Sequence, residues 1–432
     1  MRADTVDARV AAVRLAEGAP LRGTLDVTAP DHWLALDAAV RDVAWYRSPL
    51  LPQWEHTAPL PADPAHLDES RLALALCHRD GRIRQEAVPC AARYPGLLPL
   101  IVIRCTDWAG PVRERARQHL RTALHADTAV TLAPVILRVG RRDRGAFGVE
   151  LLEEALRRAP RERLTALLSC PDRTVRRFAH RLAVGTRLLH PAELARAAAQ
   201  DEDTVIQDLC ATAALTALPD VQAYEDVLPP LLTARNPRTR SAGVTALRRA
   251  GRPQAAEPFL GDRSALVRAC ARYVVRQHGG DPAAWYRQQC TRPDNPHVPP
   301  GAVIGLAECG ERTDAGLLWP LLAHRAPGVR AAAVAGLRTL DCASADRVRP
   351  LLDDPAAGVV RETTLALLPS AKDLPADWLL ERTGSKRPPH VRRAAFRLLA
   401  AHDAVVAHRA ALGLLQDPDA KLRTWAEQSL QR

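Results

Sequence analysis

Trp33 and Asp37 stand four residues apart, a spacing that puts an aromatic face and a carboxylate on one side of a helix. Such a pair suits a cationic transition state, the carboxylate answering its charge and the ring its π-face demand. A second set is built from arginine. Arg113, Arg117 and Arg121 follow at four-residue steps, Arg268, Arg272 and Arg276 repeat the pattern, and Arg240 with Arg248 keeps the same line. Stripes of this kind neutralise phosphates with little reading of bases. Beyond these the chemistry is thin. There is no Gly-Lys dipeptide for a phosphate loop, no G-x-G-x-x-G, no G-x-S-x-G and no His-Glu pair for a zinc site. His78-Arg79-Asp80 lacks the Leu and Asn that would make it a kinase catalytic loop, and it falls in a repeat turn. The histidines are scattered without helical pairing, so no metal and no cofactor is expected.

The composition limits the class of protein. The 432 residues carry a formal net charge of +11, yet Lys372, Lys386 and Lys421 are the only lysines. Abundant Ala, Arg and Pro with so little Lys is what a GC-rich genome encodes, which discounts the charge as evidence for nucleic acid. The apolar run from Leu97 to Ile103 is far too short to span a bilayer. The first residues lack the apolar core of a secretion signal. Nine cysteines occur without a C-x-x-C pair and mostly among Ala and Leu. They read as reduced, buried thiols in a cytoplasmic protein without disulfides or structural zinc.

The elements that must position these residues come from a repeat. Val329-Arg330, Val360-Arg361, Val391-Arg392 and Leu422-Arg423 follow one another at 31-residue intervals. The register continues backwards through Val298, Val267, Thr239, Val205, Val175, Val112 and Ile83, with a degenerate copy at 143–151. Each unit reads as two helices. Ala315–Leu322 makes a first helix holding Pro320, a polar turn follows, and a second helix starts near Val329. In the second helix a small residue stands four after the anchor and a large one eight after, as in Val112, Ala116, Leu120 and Val329, Ala333, Leu337. Val267, Ala271, Val275 and Val391, Ala395, Leu399 follow the same rule. These share one face, and the small residue lets neighbouring helices approach. Such a pair buries its apolar face only against neighbours on both sides, so an all-α solenoid of about 11–12 helix pairs is predicted.

Asp-Pro-x-x-x-(Val/Leu)-Arg followed by alanines resembles the HEAT repeats, in particular the short bacterial kind named after phycobilisome lyases. The resemblance covers residues 70 to 432. It implies that the turn Asp and the helix Arg form ladders between repeats, giving Arg113, Arg268, Arg330, Arg361, Arg392 and Arg423 a structural role. His78 and Cys170 replace the Asp and should weaken the ladder there. It also implies that the second helices line a concave surface carrying the arginine stripes. Trp33 with Asp37 further resembles the catalytic pair of HEAT-like DNA glycosylases that remove alkylated bases.

Residues 1–70 depart from the repeat and are read as an N-terminal cap, with 71–432 as the solenoid. The cap holds Trp33, Trp45, Tyr46 and Trp54 and a Pro-rich stretch from Pro49 to Pro64, with a helix expected over 31–46. Segments 71–190 and 231–290 are basic, whereas 191–230 is acidic. The leading expectation is a non-enzymatic scaffold, or adaptor, that binds a protein on its concave face. The alternative is a nucleic-acid-binding solenoid using Arg113, Arg117, Arg121, Arg240, Arg248, Arg268, Arg272 and Arg276, with base excision at Trp33 and Asp37 as its enzymatic extreme. A third reading, assistance to a chromophore or modifying enzyme, follows from the family's name alone. No membrane association is expected.

Overall fold

The computed structural model describes residues 2–41, 64–218 and 224–431, and all its regular elements there are helical. The chain divides into two compact units, Met1–Ala197 with Asp201–Ala213, and Ala198–Gln200 with Ala214–Arg432. Trp45, Tyr46, Trp54 and the Pro-rich stretch lie outside the described residues, apart from its last residue, Pro64.

In the first unit α1 (Arg2–Ala16) and α2 (Pro30–Arg41) pack on each other and on α3 (Glu69–Cys77), which leads to α4 (Gly81–Cys90). The helix expected over 31–46 is thus seen from Pro30 to Arg41. Three pairs follow: α5 (Leu98–Arg104) with α6 (Gly110–Ala123), α7 (Ala126–Val139) with α8 (Ala146–Arg158), and α9 (Arg161–Leu168) with α10 (Arg173–Gly185). Helices α11 (Pro191–Gln200) and α12 (Thr204–Thr216) carry the chain across the boundary.

The second unit runs from α13 (Leu228–Thr233) and α14 (Pro237–Arg249) to α24 (Ala404–Leu414) and α25 (Ala420–Leu430). Between them the second helices are α15 (Ala265–Gln277), α17 (Pro300–Cys309), α19 (Pro327–Thr339), α21 (Ala357–Leu367) and α23 (Pro389–His402). The first members of these pairs are the 3₁₀ segment Pro253–Gly261, α16 (Pro282–Cys290), α18 (Ala315–Leu318), α20 (Ala345–Val348) and α22 (Ala376–Arg382).

In the first unit α5, α7 and α9 pack on α6, α8 and α10, and in the second unit each second helix from α14 to α21 also packs on the next second helix, so the architecture is the helical-repeat stack of an α-solenoid. The predicted stripe is the core. Val112, Ala116, Leu120, Val329, Ala333, Leu337, Val391, Ala395 and Leu399 are all buried. In α15 the buried third residue is Val274, one position before the expected Val275, which is only half-buried. The degenerate copy supplies α8, where buried Gly148, Leu152 and Leu156 keep the four-residue spacing but replace the large–small–large order by small–large–large.

The first helices differ from expectation in the second unit. Ala315–Leu322 is not one helix but four α-helical residues followed by a 3₁₀ turn, Pro320–Ala323. Proline removes a backbone donor and crowds the preceding turn. Arg349–Asp353 and Leu368–Asp373 are 3₁₀ for the same reason, with Pro350 and Pro369 near their starts. Regular geometry is therefore kept by the second helices, and they form the frame on which the candidate residues sit.

Candidate functional site

The turn aspartate and helix arginine make a recurring rung. Arg330 donates through Nε and Nη2 to the Asp354 carboxylate at 2.8 and 2.9 Å, and through Nη1 to the carbonyls of His324 and Arg325 at 2.8 and 3.1 Å. Arg240 does the same to Asp262 at 3.0 and 2.9 Å and to the carbonyls of Ala234 and Arg235 at 2.7 and 2.8 Å. Arg84 grips Asp107 at 2.9 and 2.7 Å and the carbonyls of His78 and Arg79 at 2.7 and 2.9 Å.

The rung closes from one repeat to the next because the same carboxylate also accepts a backbone N–H two residues on. These bonds run from Ala109 to Asp107 at 3.0 Å, from Ser264 to Asp262 at 2.7 Å and from Ala356 to Asp354 at 2.8 Å. Each aspartate thus shapes its own turn and receives the previous repeat's guanidinium. Burial works against ionisation of Asp262 and Asp354. The bound arginine and the turn N–H outweigh it and hold both carboxyls below their ordinary value.

His78 and His324 keep the turn without a carboxylate, since Nδ1 accepts the N–H of Asp80 at 2.9 Å and of Ala326 at 3.0 Å. The expected weakening at His78 is therefore confined to the charge; the turn itself is conserved in form.

This geometry revises the arginine stripes. Arg240 and Arg268 are buried, the first on Asp262 and the second on Glu308 and the Asp262 carbonyl. Arg272 pairs with the same Glu308 at 2.6 Å and reaches the Tyr286 hydroxyl at 3.5 Å. These three side chains serve packing, because a cation taken from water needs a carboxylate and its full set of acceptors.

Arg113 and Arg117 are about four-fifths buried and donate to the carbonyls of Asp107 and Cys105 at 2.9 and 3.2 Å. Arg117 and Arg121 both lie 4.8 Å from the Phe147 ring. Arg121, Arg248 and Arg276 are exposed, and Arg248 stacks on Tyr273 at 5.9 Å. Arg361 also departs from expectation. It occupies the rung register, yet its side chain is 71% exposed and pairs with adjacent Glu362 at 2.8 Å. The next turn, residues 383–388, holds no carboxylate to receive it.

Trp33 and Asp37 do not form an open site. Trp33 is buried and donates its indole N–H to the Val27 carbonyl at 3.0 Å. Asp37 is buried against Arg41 at 3.0 Å and Arg104. Arg104 and Arg41 both reach Asp107, at 3.2 and 3.3 Å, so α2 is tied into the first rung. Burial pushes the Asp37 carboxyl up, against the pull of Arg41 and Arg142. The spacing that suggested chemistry is satisfied by packing.

Burial drives the thiols of Cys105, Cys210 and Cys290 up to about 12. Among the described residues no three His, Cys, Asp or Glu side chains gather as a metal site, and no helix is long and apolar enough to cross a membrane.

Among the described residues, large apolar side chains also stand exposed on the second helix α15 of the second unit. Leu266 is 46% and Tyr273 45% exposed on α15. Tyr273 lines one of two grooves in this unit, and the second reaches α15 through Arg268. One is lined by Tyr224, Ser241, Thr245, Arg249 and Tyr273 and holds about 370 Å³. The other, about 400 Å³, crosses α17 and α19 between Arg263 and Arg361. Sequence reasoning missed this face because it followed charge; the exposed Leu and Tyr at i and i+7 of one helix were the available signal.

No family model matches the chain, and no curated protein matches it. Similar solved structures include the karyopherin Kap121p, 14% identical over 83% of this chain and 48% of that one, with a TM-score of 0.32. A chain of the Kap95p–RanGDP structure is 13% identical over 98% of this chain and 72% of that one, at 0.36. An engineered protein is 16% identical over 85% and 98%, at 0.23. The chain spans about half the length of Kap121p. Scores this low carry no argument about function, and the repeat assignment rests on the helix pairs and rungs above.

Proposed function

We propose that the chain is a non-enzymatic scaffold whose second helices, in the second unit, bind a protein partner. One observation carries this reading. On the stripe that could have served phosphates, Arg240, Arg268 and Arg272 are engaged by Asp262 and Glu308, whereas Leu266 and Tyr273 stand exposed and Tyr273 lines a groove. Half-exposed Tyr next to Arg is a favourable anchor for protein contacts. Kinship with the short bacterial HEAT repeats, a capping role for residues 1–70 and a cytoplasmic setting complete the proposal. A photo-crosslinking residue at Tyr273 of the full chain, expressed in its host, should yield a discrete protein adduct. The same residue at exposed Ala284 on α16 should not, and adding Leu266→Glu should abolish the Tyr273 adduct. Absence of a protein adduct at Tyr273 would refute the reading.

A second reading has one observation in its favour. On α6 and its preceding turn, Arg115, Arg121 and the 68% exposed Trp108 lie in the first unit's basic segment, a combination able to meet phosphates and stack a base. Oligonucleotide binding that falls steeply with salt and is lost in an Arg115→Glu, Arg121→Glu variant would favour it.

A further inference from the structure

We infer that the groove between Arg263 and Arg361 receives an extended acidic segment of the partner protein, an inference that rests on the scaffold reading and names the partner's chemistry. The argument begins with the broken rung. In the closed rungs the guanidinium is used up by the next turn's aspartate, as Arg330 is by Asp354. After α22 the turn reads Thr383-Gly384-Ser385-Lys386-Arg387-Pro388, which contains no carboxylate to face back. Arg361 consequently swings out to solvent, 71% exposed, at one end of the groove. Arg263 stands exposed at the other, with a single long hydrogen bond of 3.4 Å to the Arg235 carbonyl.

The floor between them selects the form of the occupant. It is made of Pro300, Gly301 and Ile304 on α17 and Ala331, Ala332 and Ala335 on α19. Gly301 is required there, because a Cβ would sit 2.2 Å from the Gly261 carbonyl oxygen. Small side chains make a shallow apolar channel that admits a peptide backbone and offers no deep pocket to a large anchor. It crosses the second helices, and neighbours about 10 Å apart correspond to about three residues of extended chain per helix.

Charge and lining together favour carboxylates over nucleic acid. Among the described residues no aromatic ring lines the channel to stack a base. Glu362 sits beside Arg361 at 2.8 Å and reaches Arg338 at 3.5 Å, so the field is only moderately positive. Side-chain carboxylates spaced along a peptide can meet Arg263 and Arg361 and avoid Glu362; a continuous phosphate chain would run over it.

The test uses the full chain and a fluorescein-labelled peptide of alternating Glu and Ala. A Gln-Ala peptide and a labelled single-stranded oligonucleotide serve as comparisons. The Glu peptide should bind, weaken with salt, and lose about tenfold in affinity in the Arg263→Glu, Arg361→Glu variant. Both positions are exposed, and an unchanged melting temperature will show that the variant is folded. Equal binding of the Gln peptide, indifference to the double substitution, or preferential binding of the oligonucleotide would each overturn the inference. The scaffold reading fails separately, through loss of the Tyr273 adduct. An adduct that persists in the Arg263→Glu, Arg361→Glu variant leaves the scaffold standing and removes the acidic segment.

Discussion

Two stretches of the molecule use the same Val/Ile-Arg dipeptide to opposite ends. Around residues 78–107, Arg84 is fully buried on Asp107, and Arg41 and Arg104 bring Asp37 of α2 into the same cluster. Around residues 354–388, Arg361 has the same register and lies in water. The helices are alike; the difference is one carboxylate in the following turn. A repeat arginine is a structural cation when packing brings it an acid, from the next turn as with Asp107 or from farther on as with Glu308, and becomes a surface cation when it finds none in the frame.

The strongest way to break this contrast is Asp107→Ala. It leaves Arg84 buried without its carboxylate and Arg104 with Asp37 alone, and the expected loss is about 3–5 kcal/mol in chemical denaturation. A loss below about 1 kcal/mol would mean that the cluster is not what holds α2 to the first repeats.

Next comes Arg330→Ala in the second unit. It leaves the buried Asp354 and the His324 carbonyl without their arginine donor, for about 1–3 kcal/mol by the same measurement. The rung should also be acid-sensitive. Asp354 titrates below its ordinary value in the folded chain, so its stabilisation is present above the unfolded carboxyl pKa of about 3.9 and is lost as pH falls through the lower folded value. Asp354→Asn should therefore lose stability at neutral pH and show a smaller further loss below about pH 4 than the parent.

Arg361→Ala should change the melting curve little, within about 0.5 kcal/mol, while weakening binding of the Glu-Ala peptide. A large destabilisation would show that the arginine is structural after all. The smallest expected effect on stability sharpens the comparison most. Ser385→Asp places an acid in the rung register, should add no more than about 1 kcal/mol, and should draw Arg361 away from the peptide. Unaltered peptide affinity in that variant would separate the broken rung from binding.

The repeat was legible because its cause is local. A stripe of Val, Ala and Leu at four-residue steps can be buried only by a neighbouring copy, and Val329, Ala333 and Leu337 are buried as that predicts. Proline at 320 and 350 also carries its consequence in the chain itself, although Ala315–Leu322 was expected as one helix and breaks instead into a 3₁₀ turn at Pro320. The fate of the charged residues was much less legible. Arg240 finds its acid 22 residues on at Asp262, whereas Arg268 passes over the next turn to Glu308, 40 residues on. Nothing in the spacing of arginines distinguishes these from Arg276, which is exposed. Trp33 and Asp37 show the same limit, since their helical spacing held while Arg104, 67 residues distant for Asp37, turned the carboxylate inward.

Periodicity along the chain alone dictated helices, their paired stacking and the buried stripe, because backbone hydrogen bonding and apolar spacing act over a few residues. Which arginines became part of the frame, and which were left to face a partner, was decided by tertiary structure. A guanidinium is settled by the carboxylates and carbonyls that packing brings within about 3 Å, and those arrive from other repeats.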